Sequence, residues 1–261
     1  MSLNKTYNNP SSITNSIMKD LLINKNNSLN GNKKYNSLTS VSGDKSPFLI
    51  IKYGPPASGK SSENVQKEIE NLKLDIKDCI VFEIDRIIES LKNFRSESYS
   101  VYKNSDKSNN NKMKELSRIY FTKRQNKKIN SDNSIDKKFE NLIVTAIRDR
   151  KNIIFETTGG LFNDYNPIKW LFDIVNNNKK EDELPYYIAL IYPILPENLI
   201  IERVIKRSKE QVKRNPPFYR AMSEDNLKEQ IINAKNNFTF YIVNMLLYQF
   251  KIDKIIAFKN Y

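Results

Sequence analysis

The amino-acid sequence predicts an α/β protein, a mostly parallel sheet of about five strands with helices on both faces, preceded by a disordered N-terminal arm. Three observations predict it. From Pro47 onward, short apolar runs alternate with stretches of helical periodicity, the pattern of strands joined by crossover helices. The runs are continuously apolar, as strands buried on both faces require. The first of them, "FLIIKY" at 48–53, leads directly into "GPPASGKSS", a Gly/Pro-rich turn closed by a lysine and two serines.

Taken in order, residues 1–45 are rich in Asn, Ser, Lys and Thr, with too few apolar residues to bury a core. They read as a low-complexity, disordered arm in which Ser16–Ile23 allows a short helix. Residues 46–261 read as one domain. Its strands are expected at 48–53, 79–84 ("CIVFEI"), 152–156 ("NIIFE"), 186–192 ("YYIALIY") and 254–258 ("KIIAF"). Ahead of the third strand, Ile135, Phe139, Leu142, Ile143, Ala146 and Ile147 recur at helical spacing, with Ser134 as the cap. Further helices follow Pro167, with Trp170, Leu171 and Ile174 inward, and Pro196, with Leu199, Ile200, Val204 and Ile205 inward. Phe94 to Lys114 is polar and low in complexity, which marks an exposed insertion near 95–115, with a helix from about Lys114 to Lys128 after it.

Composition removes whole classes of chemistry. The chain of 261 residues has no histidine and a single cysteine, Cys79, so it cannot build a Ser-His-Asp triad, a His-paired thiolate or a His/Cys zinc site. One cysteine also forbids an intramolecular disulfide, and the opening residues lack the apolar stretch of a secretory signal. With no apolar run near the ~20 residues of a membrane helix, a cytoplasmic protein without a membrane span is expected. The net charge of +13 suits an anionic partner. Lysine and asparagine are spread throughout while glycine occurs only 6 times, so the charge reads as compositional bias rather than as a nucleic-acid face.

Gly54, Gly59, Lys60 and Ser61 satisfy G-x-x-x-x-G-K-[ST], the Walker A or P-loop pattern, in its confirming context of strand before and helix after. Glycine lets the backbone curl so that amides of Gly54, Pro55, Pro56, Ala57, Ser58, Gly59, Lys60, Ser61 and Ser62 can wrap a phosphate, proline contributing shape only. Lys60 reaches the β- and γ-phosphates, Ser61 offers its hydroxyl to Mg²⁺, and the helix presents its positive end. The fold class is thereby narrowed to the P-loop NTPases, with a nucleotide and Mg²⁺ as expected ligands, and the loop alone does not separate a kinase from a GTPase, a motor or a nucleotide-dependent switch. A base-reading N-K-x-D, which a GTPase carries, is absent from the fourth strand.

Two further strand ends bring acids to the same edge, where open α/β sheets place their ligand crevice. "IVFEIDRIIES" supplies Glu83 and Asp85, one of which can accept a hydroxyl proton, and "IIFETTGG" supplies Glu156, Thr157 and Thr158 ahead of a glycine pair suited to close approach by a bound group. Structural alternatives are a helix cap for Asp85 and a solvated loop acid for Glu156. Downstream, Arg203, Arg207, Arg214 and Arg220 flank an Asn-Pro-Pro break, and arginine is suited to clamp a phosphoryl group. Arg203 and Arg214 read equally well as solvated helix positions.

Together these residues resemble the zeta-toxin family of P-loop kinases, over about Pro47 to Tyr261. The resemblance implies that Asp85 is the catalytic base, that "ETT" at Glu156 to Thr158 contacts substrate, and that "VIKR" and "NPPFYRA" supply Arg207 and Arg220 to the ATP phosphates; Glu83, expected at the substrate from its strand end, departs from the first Asp of the family's D-x-D. It implies a phosphotransferase with an alcohol acceptor, and for bacterial members a UDP-N-acetylamino sugar. This chain departs from the family's "E-G-T-L-R" with "ETTGG", losing a basic residue. The expected function is transfer of the γ-phosphate of ATP to a hydroxyl of a small molecule. The alternatives are a polynucleotide 5′-hydroxyl kinase, with nucleic acid as partner, and a nucleotide-gated binding protein without phosphoryl transfer. A protein antitoxin is not inferred from one chain.

Overall fold

The computed structural model describes residues 38–104, 106–125, 135–160, 167–212, 224–246 and 252–260. Strand β1 (Phe48–Tyr53) is followed by helix α1 (Glu63–Asn71), a 3₁₀ turn (Ile76–Asp78) and β2 (Cys79–Phe82). Four helices come next, α2 (Ile84–Ser90), α3 (Lys92–Lys103), α4 (Asn109–Gln125) and α5 (Ile135–Arg148), and then β3 (Asn152–Thr157). The chain continues through α6 (Pro167–Asn177), β4 (Tyr187–Ile194), α7 (Glu197–Val212), α8 (Glu224–Leu246) and β5 (Lys254–Lys259). Among the described residues no helix is long and apolar enough to cross a membrane.

The five strands form one sheet in the order β2-β3-β1-β4-β5, and every pair is parallel. This is the parallel α/β fold that the apolar runs predict, with the Gly/Pro-rich loop following its central strand. Side chains alternate across β1, so Leu49, Ile51 and Tyr53 join a core with α5 and α6 while Ile50 joins Val65 and Ile69 of α1 on the other face. Phe139, Leu142, Ile143, Ala146 and Ile147 of α5 all lie in the first of these cores, as their spacing requires. β1 is the centre, with β3 and β4 on its two sides. The chain visits β2 and β3 on one side and then crosses to β4 on the other, which puts the topological switch point at the carboxyl end of β1.

Several local expectations are corrected. β2 ends at Phe82, because Ile84 to Ser90 form a helix for which Glu83 is the N-terminal flanking residue. The stretch from Phe94 to Lys114, expected as an exposed insertion, is largely exposed but helical over 94–103 and 109–114, and the helix expected at 114–128 runs instead from Asn109 to Gln125. The polar composition hides a sparse apolar seam, in which Phe94, Ile119 and Ile88 of α2 are buried together with Leu91, Val101 and Tyr120 against them. In α7, Ile200 is buried as expected but Ile205 is 50% exposed. Ser16–Ile23, Ser134 and the rest of residues 1–37 lie outside the described residues. Residues just after them are held by Arg150, which donates to the carbonyls of Val41, Ser42, Lys45 and Leu184 and pairs with Glu183.

Candidate active site

The loop after β1 turns through three left-handed positions, Gly54 (φ +135°), Ala57 (φ +60°) and Gly59 (φ +92°). Interspersed left-handed and right-handed residues make the backbone concavity that holds anions. The space around the glycines is filled: a Cβ on Gly54 would come 2.9 Å from the Ser58 hydroxyl, and one on Gly59 2.0 Å from Nδ2 of Asn260. Ser62 caps α1, its Oγ accepting from the Val65 N–H at 3.4 Å. Loop and helix terminus are thus joined as the motif requires.

Lys60 is buried, and its ammonium donates to the carbonyls of Gly54 (2.7 Å) and Pro55 (3.0 Å). It also lies 3.7 Å from Oε1 of Glu156, whose side chain is 24% exposed at the end of β3. The other oxygen of Glu156, Oε2, is buried without a hydrogen-bond partner, and so is Oγ of Ser58 in the loop. Buried polar atoms that find no protein partner are costly, of order 1–3 kcal/mol each, and such groups call for a ligand or water. The loop lysine and the β3 acid therefore belong to one site.

The β2 edge contributes differently from its residues' sequence order. Glu83 makes no capping bond and pairs with Lys52 of β1, 3.9 Å away, a buried cation within an otherwise apolar strand. Asp85 sits inside the first turn of α2 rather than at its cap, and Oδ1 accepts from the phenol hydroxyl of Tyr120 on α4. Thr157 spends its hydroxyl on its own loop, accepting from the Gly159 N–H at 3.3 Å, with Thr158 half-buried next to it. The glycine pair packs against the protein itself. Gly159 (φ +66°) lies against the Tyr53 ring, where a Cβ would come 2.2 Å from the ring, and Gly160 lies against Gln230. Close approach is needed there by the protein's own core.

Arg207 pairs through Nη2 with Oε1 of Glu89 on α2, at 3.3 Å. Arg203, one turn earlier on the same face of α7, is among the described residues the arginine nearest Gly59, its Nη1 lying 3.7 Å from a Cβ built there. Arg214 and Arg220 lie outside the described residues. Sequence reasoning therefore passes over three residues, Lys52, Tyr120 and Asn260, and leaves Arg203 evenly weighed between a phosphate clamp and a solvated helix position. Lys52 carries a signal, a charge inside the run "FLIIKY"; Tyr120 and Asn260 carry none, because helical spacing or a position near the last strand does not say what a side chain will meet.

Below the site, Tyr53 donates to the Ala234 carbonyl at 2.7 Å, and its ring packs edge-on against Tyr192 and Tyr241. Burial, aided by those two phenols, pushes the Tyr53 hydroxyl far above its ordinary value, and burial raises Tyr192 as well. Both are held neutral beneath the loop.

No family model matches the sequence, and no curated protein matches it. A solved structure does resemble it: a chain from the molecular and structural characterization of the PezAT chromosomal toxin-antitoxin system of Streptococcus pneumoniae, with a TM-score of 0.55 and 13% sequence identity. The similarity covers 94% of this chain and 78% of that one. At this identity the likeness concerns architecture, so the protein shares the fold of a chain from a toxin-antitoxin system.

Proposed function

We propose that the protein is an ATP-dependent phosphotransferase of the zeta-toxin-like kinase type, its kinase domain spanning residues 46–261, which transfers the γ-phosphate to a hydroxyl of a small molecule. A UDP-N-acetylamino sugar is the acceptor class implied by the family resemblance. The observation that carries this reading is the meeting of Lys60 with Glu156 across neighbouring strands, at the switch point of the sheet. The fold shared with a toxin-antitoxin chain adds support.

The loop residues fit a triphosphate, since Ser58 Oγ is buried without a partner beside left-handed backbone at Ala57 and Gly59. Mg²⁺ fits the same site in the way it usually binds with nucleotides, through one or two protein oxygens plus phosphate and water. Ser61 would hold it, and among the described residues no cluster of three acidic, His or Cys side chains offers a dedicated cage. When bound, the ion neutralises charge on the β- and γ-phosphates.

This chain's own residues then divide the work. Lys60 exchanges the Gly54 and Pro55 carbonyls for phosphate oxygens, a stronger charge-assisted partner. Asp85 orients the acceptor hydroxyl and takes its proton as the oxygen attacks the γ-phosphorus and ADP leaves. Glu156, with Thr157, Thr158 and Glu83, holds the acceptor. Arg207 and Arg220 neutralise charge on the transferred group.

The test is phosphate transfer from γ-labelled ATP by wild type and Asp85→Asn into UDP-N-acetylglucosamine, other nucleotide sugars and 5′-hydroxyl oligonucleotides. Labelled sugar with wild type, lost in the variant, is expected. Label on oligonucleotides alone would replace this reading by a polynucleotide kinase, and ATP binding with no labelled product in any arm would leave a nucleotide-gated binder.

A further inference from the structure

Resting on the phosphotransfer reading, we propose that Tyr120 is the positioning residue of the catalytic base, and that the α3–α4 hairpin is the element that sets the orientation of Asp85. The Tyr120 hydroxyl donates to Oδ1 of Asp85, from a helix separated from it by 35 positions of sequence. A phenol hydroxyl is a neutral donor, and an ionised carboxylate offers it a stronger acceptor than a protonated carboxyl does. The bond fixes which way the carboxyl plane faces, and proton abstraction is sensitive to geometry before anything else.

The phenol is not a loose surface group. Its ring meets the ring of Phe94 nearly edge-on, with centroids 6.2 Å apart and planes at 71°, and Phe94 is fully buried. Phe94 and Ile119 form a cluster with Ile88, which lies three residues beyond Asp85 on α2. Arg95 of α3 donates from Nε to the Glu89 carbonyl of the same helix at 2.5 Å. The hairpin thus grips α2 at Ile88 and Glu89 and holds the acid at Asp85. Around it the other acids of this edge meet cations from two further elements, Glu83 with Lys52 of β1 and Glu89 with Arg207 of α7. The helix that follows the polar segment thus carries a contact to the proposed reacting group.

Tyr120→Phe keeps the ring against Phe94 and removes only the donor. It is expected to lower kcat roughly 10-fold or more, the worth of a hydrogen bond to a charged group, with the KM for ATP unchanged. Combined with Asp85→Asn it is expected to add no further loss, because both changes remove one unit. A second readout does not need turnover: in protein labelled with fluorotyrosine, the ¹⁹F resonance that Tyr120→Phe deletes should shift in Asp85→Ala. Wild-type kcat in Tyr120→Phe, independent additive losses, or an unmoved resonance would each overturn the proposal. Absence of transfer from wild type to any acceptor would overturn the phosphotransfer reading instead, and a shifted resonance would still establish that Tyr120 holds Asp85.

Discussion

The side-chain amide of Asn260, just past β5, fills the space in front of Gly59 in the phosphate-binding loop. Its Nδ2 donates to the Ser58 carbonyl at 3.2 Å, and its Oδ1 accepts from Asn64 of α1 at 3.0 Å. The end of the last strand therefore braces a loop that follows the first. Gly59 is required there twice over, by its left-handed φ of +92° and by the 2.0 Å approach its Cβ would make.

Gly59→Ala is expected to destabilise the fold by about 1–3 kcal/mol through strain and overpacking, and to weaken binding of a non-hydrolysable ATP analogue. Asn260→Ala should cost about 1 kcal/mol by unpairing Ser58 and Asn64. Because the clash is with the tip of Asn260, the double variant should lose less than the sum of the singles in urea unfolding. Simple additivity would mean that the backbone strain, and not this contact, dictates glycine.

Glu156 faces the Lys60 ammonium, which under the proposed function a nucleotide recruits. Glu156→Gln removes that attraction while keeping the shape, so calorimetry should show the ATP analogue binding several-fold tighter while transfer to the acceptor falls. Weaker nucleotide binding in the variant would instead make Glu156 part of the nucleotide and metal site.

The two arginines on one face of α7 are separable. Arg207 is 45% exposed in its pair with Glu89, and such a pair contributes roughly 0–1 kcal/mol, so the side chain can leave it for a phosphoryl group at little cost. Arg207→Ala is expected to lower kcat by roughly 10³, as loss of an arginine finger does. Arg203→Ala, beside the loop, should chiefly raise the KM for ATP. Wild-type kcat in Arg207→Ala, with the loss appearing in Arg203→Ala, would exchange their roles.

Tyr53 gives a pH signature. Its hydroxyl is raised above the ordinary value of 10.0, so the unfolded chain ionises first. The stability due to its burial is fully present below about pH 10 and is lost as pH climbs further toward the folded value. Urea unfolding followed from pH 8 to pH 11.5 should show a steeper alkaline loss for wild type than for Tyr53→Phe. Parallel curves would show that Tyr53 does not govern the alkaline limb.

Much of this was legible in advance. The five strands were readable because parallel strands buried on both faces leave continuous apolar runs, and α5 because six apolar residues repeat at helical spacing. Asp85 and Glu156 were placed at one edge by the rule that parallel strands present their carboxyl ends together. What failed was anything set by a partner far along the chain. The glycine pair reads as room for close approach by a bound group, and only the fold shows that Tyr53, from another strand, lies against Gly159. Phe94 to Lys114 reads as an exposed insertion because only a few of its residues are apolar; most of it is exposed, and only assembly shows that Phe94 and Val101 close on Ile88.

The sequence by itself determined the sheet, the phosphate loop with Lys60, and the chemistry excluded by a chain without histidine, because each depends on neighbouring residues or on composition. Tertiary structure alone decided that Tyr120 meets Asp85, that Asn260 braces Gly59 and that Arg203 lies nearer the loop than its sequence context indicated. Those contacts join segments brought together only when helices pack on the sheet, and local pattern carries no record of which side chains will then be neighbours.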